Sequence, residues 1–386
     1  MIDSAGADPA LNYLTITKGG LLMRYDDLSK HQIINPKHER RPTMGFYAGI
    51  DLHTRKSVVC VIDEKERKRV METAPNELPC ILRLLKKVPR RPSVAIEATL
   101  NWYWLVDGLQ EAGYKVKLAH TMGLYMITGA KVKTDRRDAF SLAKLLRLDA
   151  IPEAYIYPKE TRPIRDVLRR RTRMVRLRAE AYVAIKRKFQ QYGLPCRDEA
   201  IQGVDEEALF RWFMHPGIRA SLSMELERIR LYSREIRKVE KYIVSTVENK
   251  PIFEHLRTIP GVGKILALTI YYEVGDIARF GSARQFCSYA RVVPGMAQSG
   301  DVIRRGRGSK QGNAHLKWAF NQAAAISVRH YGYVRSFRQK HLARRRSKAR
   351  RLISLSIVAH KLAIAAYHVL RDEVPFDKEL MFGKAS

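Results

Sequence analysis

Four cysteines in 386 residues are too few and too scattered to build a framework: Cys60, Cys80, Cys196 and Cys287 form no C-x-x-C pair. A zinc ribbon and a disulfide-stapled secreted fold are thereby excluded, and a reducing cytoplasm suits the chain. Long apolar runs are also scarce. Residues 1–44 lack the apolar stretch of a secretory signal, and no window approaches the roughly 18 apolar residues of a membrane span, which predicts a cytoplasmic protein with no membrane partner. Negative charge is the third shortage: 39 Asp and Glu face 71 Lys and Arg, leaving a net +32. Such an excess repels itself in a compact fold unless a polyanion offsets it, so repeated phosphate is the expected partner and a small neutral metabolite is a poor sole substrate. With 46 % hydrophobic residues, the chain has material for two or three cores and is not a disordered basic tail.

What is present divides the chain into four parts. Residues 1–44 are aperiodic and predict a flexible extension with no assigned function. Over 45–160, FYAGIDL, SVVCVID and RVMETA read as three hairpin-joined strands. They are followed by a helix in NELPCILRLLKKV, a strand in SVAIEAT, a helix around Trp102–Glu111 and a strand in KVKLAH. That order predicts an α/β, ribonuclease-H-like mixed sheet. The part 161–250 is helical and basic: 161–192 alone carries eleven Lys or Arg against Asp166 and Glu180. Farther on, Leu222, Leu226, Ile229, Ile236, Ile243 and Val247 recur at steps of four and three with Ser233 and Glu240 in the gaps. This spacing predicts either a coiled-coil hairpin with the basic helix or a seam between subunits, and we take it as the joint of a homo-oligomer. The last part, 251–386, is mostly helical.

Asp51 stands in the middle of an apolar strand that has no packing use for a carboxylate, and Glu97 repeats the anomaly in VAIEAT. A charge so placed must be paired or hold a metal, because leaving it alone costs several kcal/mol. Asp135 and Asp138 in KTDRRDAF are three apart at the start of a helix and share one face. Thr134 or Asp135 could also serve there as a cap. Four convergent carboxylates suit a pair of Mg²⁺ ions, which prefer oxygen ligands and can hold the attacking and leaving oxygens of a phosphoryl transfer. His53, two residues after Asp51, reads either as an auxiliary ligand or as a packed histidine.

Taken together, GIDLH (49–53), AIEAT (95–99), KTDRRDA (133–139), IPGVGKILALTI (259–270), RFGSARQFCSYARVVPG (279–295) and QSGDVIRRGRGSKQGNAHLKWAF (298–320) resemble the insertion sequence one-ten family of transposases. The resemblance covers roughly 46–330. It implies a RuvC-like first domain using Asp51, Glu97, Asp135 and Asp138 with Mg²⁺. It also implies a C-terminal domain whose serine forms a covalent link to DNA, and a bridge RNA that pairs with donor and target DNA. Ser299 in the QSG turn is the matching serine; Ser309 in GRGSKQGN is its rival. The family pattern leads one to expect a glycine soon after the Glu97 strand, where this chain has Leu100-Asn101.

Other nucleic-acid contacts are expected at Gly261, Gly263 and Lys264, whose glycine turn matches a helix-hairpin-helix. Arg304, Arg305, Arg307 and Lys310 form a Gly-separated cationic loop, and Arg169, Arg170 and Arg173 lie on the basic helix. Trp102, Tyr103 and Trp104 read as core in preference to a base-stacking platform. The alternative function is a RuvC-like Mg²⁺-dependent nuclease or junction resolvase that hydrolyses DNA with the acids alone; a non-catalytic scaffold, whose acids only balance arginines, is a further rival.

Overall fold

The computed structural model describes residues 45–128, 134–194, 206–247, 250–299, 302–306, 311–343 and 349–382; the extension 1–44 lies outside them. Two compact units divide the chain: Met1–Lys117 with Ala130–Ile151, and Leu118–Gly129 with Pro152–Ser386.

In the first unit β1 (Phe46–Leu52), β2 (Lys56–Asp63) and β3 (Lys68–Pro75) form an antiparallel meander. SVVCVID in β2 is almost wholly buried, as an unbroken apolar run should be when both faces are covered. The outer β3 mixes buried and exposed positions. Helix α1 (Leu78–Leu85) then leads to β4 (Ser93–Glu97), which lies parallel to β1 and gives the order β3-β2-β1-β4. Helix α2 (Tyr103–Glu111) follows, with Trp102 buried at its start, and then β5 (Val116–Ala119).

Ile50 pairs with Ile96, so Asp51 and Glu97 emerge together where two parallel neighbours end. After α3 (Thr121–Thr128), helix α4 (Asp135–Arg147) crosses the face made by β1 and β2. It can do so closely because the meeting residues are small. Ala139 and Ala143 pack with Val58, Cys60 and Ile62, and a Cβ at Gly49 would stand 2.1 Å from the Ala139 carbonyl oxygen and 2.6 Å from the Ala143 nitrogen.

In the second unit, Glu153–Ala154 form β6, paired antiparallel with Leu118 and Ala119. The 30-residue α5 (Arg162–Gln191), the short α6 (Glu206–Phe210) and the 31-residue α7 (Pro216–Thr246) follow, and α5 and α7 pair as a hairpin. Leu222, Leu226, Ile229, Ile236 and Ile243 are all buried, and the first three pack with Ala181, Ile185 and Phe189 of α5. The two polar heptad places take arginines from across the hairpin: Arg178 donates to Ser233 Oγ at 3.2 Å, and Arg171 donates through Nε to Glu240 at 2.9 Å. Of the two readings of this spacing, the hairpin with the basic helix is the one seen within the chain: α5 packs along the apolar seam of α7.

The remaining α-helices among the described residues are α8 (Pro251–Arg257), α9 (Lys264–Val274), α10 (Ala283–Tyr289), α11 (Ala314–His330), α12 (Gly332–Ala343), α13 (Arg350–Asp372) and α14 (Lys378–Phe382), with a hairpin of β7 (Gly295–Ser299) and β8 (Val302–Gly306) before α11. Phe286, Phe320, Ala323, Leu362 and Ala363 share their core. Helix α13 is long and apolar enough to cross a membrane by length and composition, contrary to the expectation that no window comes close. Its Val358, Leu362 and Ala366 are nevertheless fully buried against protein, as in a core helix.

Because the α4–β1 contact has no room for a methyl group, Gly49→Ala is expected to destabilise the first unit by about 1–3 kcal/mol. Chemical denaturation would measure this; a variant of unchanged stability would contradict the close packing.

Candidate metal centre

Asp51 is only 5 % exposed, and its Oδ2 lies 3.1 Å from His53 Nε2. The same Nε2 lies 3.2 Å from Asp135 Oδ2, and one ligand atom from each of the three residues falls within 4.8 Å of the others. Asp51 Oδ2 and His53 Nε2 are buried atoms that make no hydrogen bond, so their approach is close but misaligned. Burial pushes the Asp51 carboxyl up to about 6; His53 opposes this, while Asp138, Asp135 and Glu97 add to it. Asp135, Asp138 and Glu97 are half-buried, and each raises the Asp51 carboxyl, while the residues whose ligand atoms lie within 4.8 Å of one another are Asp51, His53 and Asp135.

Local structure delivers each group. Thr134, not Asp135, caps α4: its Oγ1 accepts from the Arg137 N–H at 3.3 Å. Past the end of β1, two amides hold the chain. Asn76 Nδ2 and Asn101 Nδ2 donate to the His53 carbonyl at 2.7 and 2.9 Å. Ser57 and Thr99 orient those amides in turn, through contacts of 2.6 and 3.0 Å to their Oδ1 atoms. Sequence reasoning missed both asparagines, although the Leu100-Asn101 departure from the family pattern marked the second. An orphaned buried carboxylate oxygen beside further oxygen donors and an imidazole fits a divalent cation.

The predicted serine and cationic loop belong to the second unit. Ser299 ends β7 and pairs with Val302, while Arg304 and Arg305 stand opposite Ala297 and Met296 in the hairpin register. Arg307, Lys310 and the rival Ser309 lie outside the described residues. Gly261 adopts φ +78°, and a Cβ there would meet the Ala323 carbonyl oxygen at 2.2 Å, so its own fold requires a glycine. Gly263 and Lys264 are exposed at the uncapped start of α9. Arg170 and Arg173 are exposed on α5.

Two family models match the chain. A transposase model for the DEDD domain of the IS110 group matches residues 48–193, and the transposase model of the IS116/IS110/IS902 family matches residues 253–339. The chain belongs to the IS110 transposase family. Similar proteins include the putative transposase y4qE of Sinorhizobium fredii, 25 % identical across 70 % of this chain and 69 % of that protein. The transposase for insertion sequence element IS1111A of Coxiella burnetii is 26 % identical across 81 % of this chain and 85 % of its own length. A pilin gene-inverting protein of Moraxella bovis is 29 % identical over 160 residues, 40 % of this chain and 49 % of that protein. Membership in the IS110 family implies cleavage and rejoining of DNA.

Glu273, within the second family match, centres a buried charge cluster that sequence reasoning overlooked. Glu273 on α9 is 1 % exposed and accepts from Arg165 Nε at 3.2 Å, Arg169 NH2 at 2.8 Å and Asn313 Nδ2 at 2.7 Å. Burial alone would raise the Glu273 carboxyl, but Arg169, Arg165 and Asn313 hold it below the usual range. Arg169 was expected on nucleic acid; in the structure its guanidinium serves Glu273. Asn313 also caps α11, accepting from His315 and Leu316, and its own N–H donates to the Tyr289 carbonyl at 2.6 Å. The end of the predicted cationic loop is thus tied to α5, α9 and α10 of its own unit.

Two expectations follow from these charges. The ionised Asp51 is disfavoured by folding, a cost absent below its ordinary value of 3.8 and complete above about 6. Asp51→Asn should therefore stabilise the metal-free protein at pH 7.5 by on the order of 1–2 kcal/mol and give no such gain near pH 4; denaturant midpoints at both pH values measure this. Glu273→Ala leaves buried Arg165 without a counter-charge and should cost about 3–5 kcal/mol, read in the same way.

Proposed function

We propose that this chain is the DNA transposase of an insertion sequence, cutting and rejoining donor and target DNA with Asp51, Glu97, Asp135 and Asp138 around Mg²⁺ and with Ser299 as nucleophile. A bridge RNA guides it, and the active particle is a homo-oligomer. The observation that carries this reading is the buried, unbonded Asp51 Oδ2 in the midst of three further carboxylates. A scaffold that used acids only to balance arginines would have no reason to leave a buried carboxylate oxygen without a hydrogen bond. The strand order β3-β2-β1-β4 and the crossing helix α4 support a RuvC-like assignment of the first unit.

When bound, the divalent ion supplies charge neutralisation at the scissile phosphate. The acids hold that charge in place, and Ser299 Oγ displaces a DNA oxygen from phosphorus. One P–O bond forms as one breaks, the serine proton leaves and the departing DNA oxygen gains one. The hydroxyl of another DNA end then displaces the serine in the reverse sense. The number of phosphodiesters is conserved, so rejoining needs no external energy source. Ser299 stands at the end of a β-hairpin strand with Arg304 and Arg305 on the neighbouring strand, a composition suited to gripping the same phosphate. Exposed Arg170 and Arg173, and exposed Gly263 and Lys264 at the α9 N-terminus, support sequence-independent contact with DNA or RNA backbones. The pilin gene-inverting relative supports recombination in preference to plain hydrolysis.

The test is to incubate the protein with Mg²⁺, its element's noncoding RNA and labelled target DNA. The expected product is a protein–DNA adduct that survives denaturation and disappears in both Ser299→Ala and Asp51→Asn. Cleavage that persists in Ser299→Ala without any adduct would establish the hydrolytic nuclease instead.

A further inference from the structure

We infer that His53 Nε2 is a direct ligand of the metal held by Asp51 and Asp135, and that this nitrogen shifts the site's preference from Mg²⁺ toward first-row transition ions such as Mn²⁺. The inference rests on the metal reading above and deepens it, since four acids alone make an all-oxygen site.

The geometry comes first. His53 Nε2 stands 3.1 Å from Asp51 Oδ2 and 3.2 Å from Asp135 Oδ2. Two neighbouring ligands of an octahedral ion with bonds near 2.1 Å are separated by about 3 Å. The imidazole nitrogen thus has the spacing of a shell member with respect to both carboxylates. An outer-shell histidine is a different arrangement: it donates an N–H in line to a ligand's oxygen. Here neither the ring nitrogen nor Asp51 Oδ2 makes a hydrogen bond, though both atoms are shielded from water. Two shielded polar atoms that make no hydrogen bond and lie 3.1 Å apart, beside a second carboxylate, suit a shared cation.

The backbone makes the placement firm. The His53 carbonyl takes two side-chain amides, Asn76 and Asn101, from the segments that follow β3 and β4. Those bonds fix the residue through its main chain, so the ring can be replaced without releasing the loop. Mg²⁺ favours oxygen and dehydrates reluctantly, whereas imidazole is a better donor to transition ions. A single nitrogen among the oxygens is therefore a selectivity element.

The test uses the full chain without a histidine tag, loaded with Mn²⁺ and studied by calorimetry and by pulsed electron paramagnetic resonance, which detects ¹⁴N bonded to the manganese. The expected result is a directly coordinated nitrogen in the native protein that vanishes in His53→Ala and His53→Gln. Both variants should still bind Mn²⁺, with affinity lowered at least about 10-fold, the loss typical of even an outer-shell partner. Mg²⁺ affinity should fall by less. Circular dichroism checks that the variants are folded, and using two variants guards against the failure of one. Mn²⁺ that binds in an Asp51-dependent manner with no nitrogen coupling would overturn the role of His53 and leave the acidic metal site standing. Absence of any Asp51-dependent ion binding would overturn the inference together with the metal reading itself. An unaltered Mn²⁺ to Mg²⁺ affinity ratio in both variants would overturn the selectivity claim.

Discussion

The first unit depends on a backbone approach that only a missing side chain allows. Helix α4 rests on β1 at Gly49, against the Ala139 carbonyl and the Ala143 nitrogen. That contact brings the first turn of the helix, with Asp135 and Asp138, to the end of the strand that carries Asp51. Like charges gather there only because the surrounding apolar packing of Val58, Cys60, Ile62, Ala139 and Ala143 compensates for their repulsion. Burial first, and then the neighbouring carboxylates, raise the Asp51 carboxyl. Affinity for a cation is the return: a site whose charges oppose one another when empty gains most when a counter-ion arrives.

Much of this was legible beforehand. An aspartate within FYAGIDL and a glutamate within SVAIEAT violate the apolar pattern of buried strands, and a violation of pattern is what a functional site leaves in a sequence. The parallel pairing of Ile50 with Ile96 then explains why the two anomalies meet. The i, i+3 spacing of Asp135 and Asp138 gave their common face, but whether Asp135 was a cap depended on which hydroxyl or carboxylate reached the Arg137 N–H. That is a matter of dihedral angles that spacing does not encode. The roles of Asn76 and Asn101 were illegible for a related reason: each bonds to a backbone carbonyl, His53, that lies 23 or 48 residues away along the chain.

The basic helix shows the opposite failure. Arg169, Arg170 and Arg173 were expected on nucleic acid, and the arginines of this helix divide by depth. Arg165 and Arg169 are consumed by Glu273, Arg171 and Arg178 by the partner helix of the hairpin, and Arg170 and Arg173 remain exposed. Glu273 itself sits in the apolar string KILALTIYYEV, so the same rule that exposed Asp51 applied to it. Here the carboxylate satisfies arginines instead of a metal, which shows that a misplaced acid signals a compensating charge without specifying its kind.

Ser233 and Glu240 interrupt an otherwise apolar seam, and each meets an arginine of α5. Ser233 and Glu240 are one heptad apart, so sliding the helices by a heptad would keep one arginine on a polar partner and set the other opposite Leu226 or Val247; the pairings thus favour the observed register. At 1.5 Å per residue the 31 residues of α7 measure about 45 Å, somewhat more than one turn of B-form DNA. With its register pinned, the hairpin has a length set by its count of residues, so an insertion or deletion in either helix would change both its reach and its pairing.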